Sequence, residues 1–79
     1  MRDVRSKSEV AFGQIFGKRM KALRKERRFT QDDVAQHVGC HNSNIGHIES
    51  GRYTINLYHA ILIADKLGIT IYELAGLTE

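Results

Sequence analysis

Residues 29–51 read FTQDDVAQHVGCHNSNIGHIESG, the pattern of two short helices joined by a tight turn. Thr30 has the side chain of an N-cap, and Asp33, three residues on, stands where the acid of a capping box belongs. Val34, Ala35 and Val38 fall on one helical face. Gly39 follows, the residue best able to take the left-handed conformation that ends a helix. A second helix is predicted to begin near His41 or Asn42 and to stop at Gly51. Its apolar residues, Ile45 and Ile48, are three apart, and its other face carries Asn42, Ser43, Asn44, Gly46 and His47. A merely solvated face usually carries Lys and Glu. Asn, Ser and His both donate and accept hydrogen bonds, and a compact, nearly uncharged surface of them suits the edges of nucleic-acid bases. Asn can bond adenine at two atoms together, whereas Ser tolerates several bases.

Together these residues resemble the helix-turn-helix of the Cro and lambda-repressor (XRE-type) family. Thr30-Gln31, Val34-Ala35, Gly39, Ile45, Ile48-Glu49 and Gly51 stand at the family's spacing, 22 residues in register. The likeness extends over residues 16–74. It departs at three positions. His41 stands where the family usually has a Ser or Thr cap, and Cys40 where an aliphatic residue is common. Gly46 lies inside the second helix, where glycine costs roughly 1 kcal/mol against alanine. The resemblance implies an all-α, compact five-helix domain that binds double-stranded DNA. It places the motif's second helix in the major groove, with Asn42, Ser43, Asn44 and His47 at the base edges. It brings Arg52 and Tyr53, in the loop after Gly51, to the DNA backbone. It pairs Arg24 with Glu49 across the core, where guanidinium and carboxylate suit a two-bond fork. Gln31, at the start of the motif's first helix, is a candidate phosphate contact, because helix N-termini attract anions.

The chain has 79 residues and a net charge of +3. That is one small domain, and chains this short bury only about 60% of their unfolded surface. Disulfides, metals or oligomerisation are the usual remedies for such marginal stability. A single cysteine excludes an intrachain disulfide and fits a reducing cytoplasm. No apolar run approaches the ~20 residues of a membrane span, and the basic N-terminus lacks the apolar region of a signal peptide. A cytoplasmic protein with no membrane association is therefore expected. The charge is uneven: residues 1–28 carry +7, residues 29–50 carry −3 and residues 51–79 carry −1. A positive end of this kind attracts polyanions, and Lys21 and Arg28 are candidate phosphate contacts on it.

Residues 1–7 are polar and basic without periodicity and are expected to form a mobile arm ahead of a domain spanning 8–79. The spacing of Ser6 and Glu9 predicts a first helix over about residues 8–27. Phe12, Phe16, Met20 and Leu23 make its apolar stripe. Gly13 and Gly17 weaken it, and their spacing admits a neighbouring element. Residues 52–55 read as a loop. Asn56 caps a fourth helix predicted over residues 57–67 and ended by Gly68. Thr70 and Glu73 have capping-box spacing for a short fifth helix from Ile71 to Ala75. The predicted core is Met20, Leu23, Val34, Ala35, Val38, Ile45, Ile48, Ile61, Ala64 and Leu67. Beyond Gly68, the apolar side chains exceed what one short helix can bury inward, and Ile71, Tyr72, Leu74 and Leu77 are assigned to a homodimer interface.

Other constellations are weaker. His37, Cys40, His41 and His47 have the spacing H-x2-C-H-x5-H, which matches no standard zinc pattern, so neither a metal site nor a cofactor is expected. A free cysteine in the turn behaves as a small hydrophobe. Asp32 and Asp33 complement the helix dipole, a commoner role for first-turn acids than paired catalysis. No residues support an enzyme, and no small-molecule ligand is evident. The sequence predicts a sequence-specific, double-strand DNA-binding transcriptional regulator, a dimeric repressor of an inverted-repeat operator. A restriction-modification controller and an autoregulating antitoxin share this architecture. A protein-interaction module that has lost DNA binding is the alternative that Gly46 and the sparse charge of the second motif helix favour.

Overall fold

The computed structural model describes residues 3–77. Five helices follow one another: α1 (Lys7–Glu26), α2 (Gln31–Val38), α3 (Asn42–Glu49), α4 (Leu57–Leu67) and α5 (Ile71–Ala75). There is no strand among the described residues. Residues 1 and 2 of the predicted arm, and 78 and 79 of the predicted domain, lie outside the described residues.

Each helix begins on a side chain that accepts from the backbone of its own first turn, which is where a helix leaves N–H groups without partners. Ser6 accepts from Glu9, Thr30 from Asp33, Asn56 from His59 and Thr70 from Glu73. At α3 the cap is the ring of His41, which accepts from Ser43. Thr30 with Asp33 and Thr70 with Glu73 close reciprocal capping boxes. The backbone and then the hydroxyl of Thr30 hold the Asp33 carboxyl below the ordinary carboxylate range. Its share of the cap is therefore present at neutral pH and is lost as pH falls through that depressed range.

Gly39 ends α2 at φ 84°, but α1 ends without a glycine. Arg28 itself adopts φ 61°. Phe29 N–H bonds back to Arg24 O at 3.1 Å, and Arg28 N–H to Lys25 O at 3.0 Å, the two bonds of a Schellman close. A side chain in this conformation costs roughly 1–2 kcal/mol.

The core draws on every helix. Phe16 and Met20 come from α1, Val34, Ala35 and Val38 from α2, and Ile45 and Ile48 from α3. Ala60, Ile63, Ala64 and Leu67 come from α4, and Leu74 from α5. Leu23 packs against them half-buried. Two expectations are corrected. Ile61 was placed in the core, yet it is 51% exposed and Ile63 is fully buried in its stead. Ala60, Ile63, Ala64 and Leu67 make one complete helical stripe, and Ile61 sits on an adjoining face that is also apolar, so periodicity alone did not rank the two. Leu74 was assigned to a dimer interface, yet it is 0% exposed. α5 folds back against α1 and α4, and Leu74 is the side chain it inserts.

One close approach sets how α1 meets α3. A Cβ built at Gly17 would stand 2.5 Å from the carbonyl oxygens of both Ile48 and Glu49. These are backbone atoms, which cannot swing aside as a flexible side chain can. Gly17→Ala should therefore lower stability by about 1–3 kcal/mol through overpacking; a thermal midpoint equal to or above the parent's would show that the helices do not meet so closely. Arg28→Gly should act oppositely. Relief of the left-handed cap should raise the midpoint by the equivalent of roughly 1 kcal/mol, and a fall would contradict the strained close of α1.

Candidate nucleic-acid interface

α3 buries Ile45, Ile48 and Glu49, and at Gly46 it lies against Gln31 of α2. Asn42 and Ser43 are exposed, and Asn44 and His47 are half-buried. All four residues picked out as base-reading therefore share one helix of eight residues, but only the first two stand fully open. His47 lies with its ring centroid 6.2 Å from that of Tyr53. The Tyr53 hydroxyl donates to the Asn44 carbonyl oxygen at 3.2 Å, and burial pushes the phenol's pKa up. Tyr53, read as a phosphate contact, thus spends its one proton bracing α3. Asn44 keeps its side chain for other partners.

Gln31 also turns inward. Its amide nitrogen donates to Glu49 Oε1 at 3.2 Å, and a Cβ at Gly46 would sit 3.4 Å from that nitrogen. Gly46 is thus the position where the Gln31 side chain lies against α3, which sequence reading saw only as a helix-weakening residue. The Gln31 side chain is therefore engaged within the protein.

Beneath this surface lies the ion pair. Arg24 Nε donates to Glu49 Oε2 at 2.6 Å and Nη2 to Glu49 Oε1 at 3.1 Å. The remaining nitrogen, Nη1, donates to Phe29 O at 2.8 Å. The two side chains are 9% and 3% exposed. Among the described residues no buried side-chain polar atom lacks a partner.

Several basic residues at the N-terminal end are structural, which charge counting missed. Arg5 donates to Gly51 O at 3.1 Å and Thr54 Oγ1 at 3.5 Å, joining the segment before α1 to the loop after α3. Its carboxylate partner Asp3 is held at a pKa of about 2, chiefly by the Arg5 side chain. Arg19 donates to the carbonyls of Glu73 and Leu74 at the end of α5, and Arg27 to that of Leu67 at the end of α4. A long-range capping arginine leaves no local pattern by which sequence could reveal it. Lys21, Arg28 and Arg52 are exposed. Gln14 and Lys18 of α1 line an open cleft with Glu49 and Ser50 at the end of α3.

The histidines have separate occupations. His37 lies 2.9 Å from the Asp65 carboxylate, His41 caps α3, and His47 neighbours Tyr53. Among the described residues no three His, Cys, Asp or Glu side chains converge on a metal-sized site. Cys40 packs half-buried against the core, and burial pushes its thiol pKa up, which keeps it protonated and a poor nucleophile. No helix among the described residues is long and apolar enough to cross a membrane.

Comparisons with known proteins agree with this geometry. A family model described as Helix-turn-helix matches residues 20–74. The immunity repressor protein of Bacillus phage phi105 is 37% identical over 60 residues, 76% of this chain, and the chain spans only 42% of that protein's length. The crystal structure of the restriction-modification controller protein C.AhdI from Aeromonas hydrophila superposes with a TM-score of 0.77 at 30% identity, over 81% of this chain and 97% of that one. A hypothetical transcription factor, NHTF from Neisseria, superposes with a TM-score of 0.75 over 95% of this chain and 84% of that one. At 19% identity this last is a likeness of fold alone.

The matched segment includes both Arg24 and Glu49. Removing one member of a buried pair leaves the other charged and desolvated, at a cost of about 3–5 kcal/mol. Glu49→Ala should lower the unfolding free energy by about that amount in urea titration. Arg24→Met combined with Glu49→Leu removes both charges and should lose far less than the sum of the single changes. Additive losses would show that the two side chains do not depend on each other.

Proposed function

The chain belongs to the Cro/lambda-repressor (XRE-type) helix-turn-helix family of DNA-binding transcription regulators, and we propose that it acts in the cytoplasm as a dimeric, sequence-specific repressor. The observation that carries this reading is the outward face of α3. It is polar and almost uncharged, and it stands on a helix clamped from behind through Glu49 by Arg24 of α1 and Gln31 of α2. A helix held so firmly suits insertion into a major groove, with Asn42 and Ser43 leading and His47 following one turn behind Ser43. The N-terminal backbone of α2, with Lys21, Arg28 and Arg52, supplies phosphate attraction that does not depend on sequence. Occupying a promoter in this way is enough to block it.

The dimer is supported by apolar surface that the described residues leave uncovered. Ile61, Tyr72 and Leu77 are 51%, 55% and 58% exposed. Ile61 also lines a groove with Ala64, Asp65, Ile69 and Ile71 between α4 and α5. A second copy meeting this face about a two-fold axis covers it isologously. Recognition helices then fall about 34 Å apart, and the operator is an inverted repeat with half-site centres roughly 10 base pairs apart. A second reading, a restriction-modification controller, is favoured by the near-complete coverage of C.AhdI, 97% of that chain. It uses the same surface and differs in the promoter served.

Selection from a random duplex pool supplies an operator for the tests. Asn42→Ala should weaken operator binding about ten-fold or more, at 1.4 kcal/mol per decade, and leave binding to random duplex almost unchanged. Lys21→Ala should weaken both alike and reduce the salt slope by about 1. Equal losses on both DNAs for Asn42→Ala would remove α3 from its reading role. Tyr72→Asp should turn a sedimenting dimer into a monomer and abolish preference for the inverted repeat; a parent protein that is monomeric both free and on DNA would refute the interface.

A further inference from the structure

His41 caps α3 with its ring, and the geometry decides which ring nitrogen carries the proton. The backbone N–H of Ser43 is directed at Nδ1 across 3.1 Å. An N–H bonds only to a ring nitrogen that offers a lone pair, so Nδ1 is unprotonated and the neutral ring carries its proton on Nε2. The Ser43 hydroxyl lies 2.8 Å from the same Nδ1. With no proton on Nδ1, the hydroxyl is the donor in that contact, and it shares the single in-plane lone pair of Nδ1 with the Ser43 N–H. The one proton of the Ser43 hydroxyl is therefore turned back onto the protein. The exposed side of Oγ presents lone pairs alone.

We propose that His41 is a positioning residue that makes Ser43 an acceptor-only reading group, so that Ser43 selects an exocyclic amino group in the major groove. The groups that qualify are cytosine N4 and adenine N6; guanine O6 and N7 and thymine O4 need a donor that Ser43 does not present. The inference rests on the reading of α3 as the base-reading helix. It replaces the ordinary indifference of serine with a preference imposed by its neighbour.

Nitrogen-15 NMR of the free protein at about pH 8 should show His41 as the Nε2–H tautomer; a proton on Nδ1 overturns the proposal. The second test uses a duplex selected from a random pool, with single functional groups removed. Purine in place of adenine and 2-pyrimidinone in place of cytosine delete amino groups, and 7-deazaguanine deletes N7. At one position, loss of the amino group should cost the parent about three- to ten-fold in affinity, and Ser43→Ala should erase that penalty. The penalty should also shrink in His41→Ala, which leaves the Ser43 hydroxyl free to turn outward and donate. A penalty for loss of guanine N7 at about pH 8 that Ser43→Ala erases overturns the proposal. So does a duplex that depends on Asn42 but shows no amino penalty coupled to Ser43, and that result leaves the functional reading intact. A pool from which no duplex is enriched overturns both.

Discussion

Two hydrogen bonds between Arg24 and Glu49 hold α3 to the scaffold. Both groups are almost entirely out of water, where a charge is tolerated only with partners on nearly all its polar atoms. Arg24 satisfies this with the carboxylate on one side and the Phe29 carbonyl on the other, and Glu49 adds the Gln31 amide. Four segments of the motif thus converge on one pair of side chains: α1, the turn after it, α2 and α3. Such a cluster admits one arrangement, because any slip leaves a buried charge exposed to nothing. Gly17 is its geometric condition, since a side chain there would push α3 away from the helix that carries Arg24.

The same logic explains why much of the basic charge is arginine. The guanidinium offers several donors in a fixed plane, and carbonyl ends of helices are negative and short of donors. Arg19 serves α5 and Arg27 serves α4, while Arg5 ties the chain before α1 to the loop beside α3. The long α1 is therefore a girder from which other helix ends are held. Its lysines are left exposed on the outside, where positive charge of this kind favours polyanions.

α3 shows how a short, weak helix is held in place. Eight residues with an internal glycine would not persist alone. Its stability comes from outside: a ring cap at one end, a tyrosine on the Asn44 carbonyl, a glutamine laid on Gly46, and the ion pair at the far end. Apart from the His41 cap, none of these braces engages the side chain of Asn42 or Ser43.

The sequence by itself determined the five helices, their order and most of their ends. Those are local matters, set by caps within a turn of their helix and by apolar residues recurring at helical spacing. It also marked the outward face of α3, because a run of Asn, Ser and His without Lys or Glu is unusual on any helix. What needed the tertiary structure was everything decided by residues distant in the chain. Ile61 and Ile63 are both apolar and two apart, and only the position of α2 against α4 shows which is core. Leu74 reads as spare apolar surface until α5 folds back and buries it. Tyr53 and Gln31 read as phosphate contacts, and Arg19 and Arg27 only as part of the basic charge of residues 1–28, yet each is a brace whose partner carbonyl or carboxylate lies on another element. The direction of the Ser43 hydroxyl proton follows from the ring beside it, because a histidine cap offers one lone pair and composition cannot say where that lone pair points.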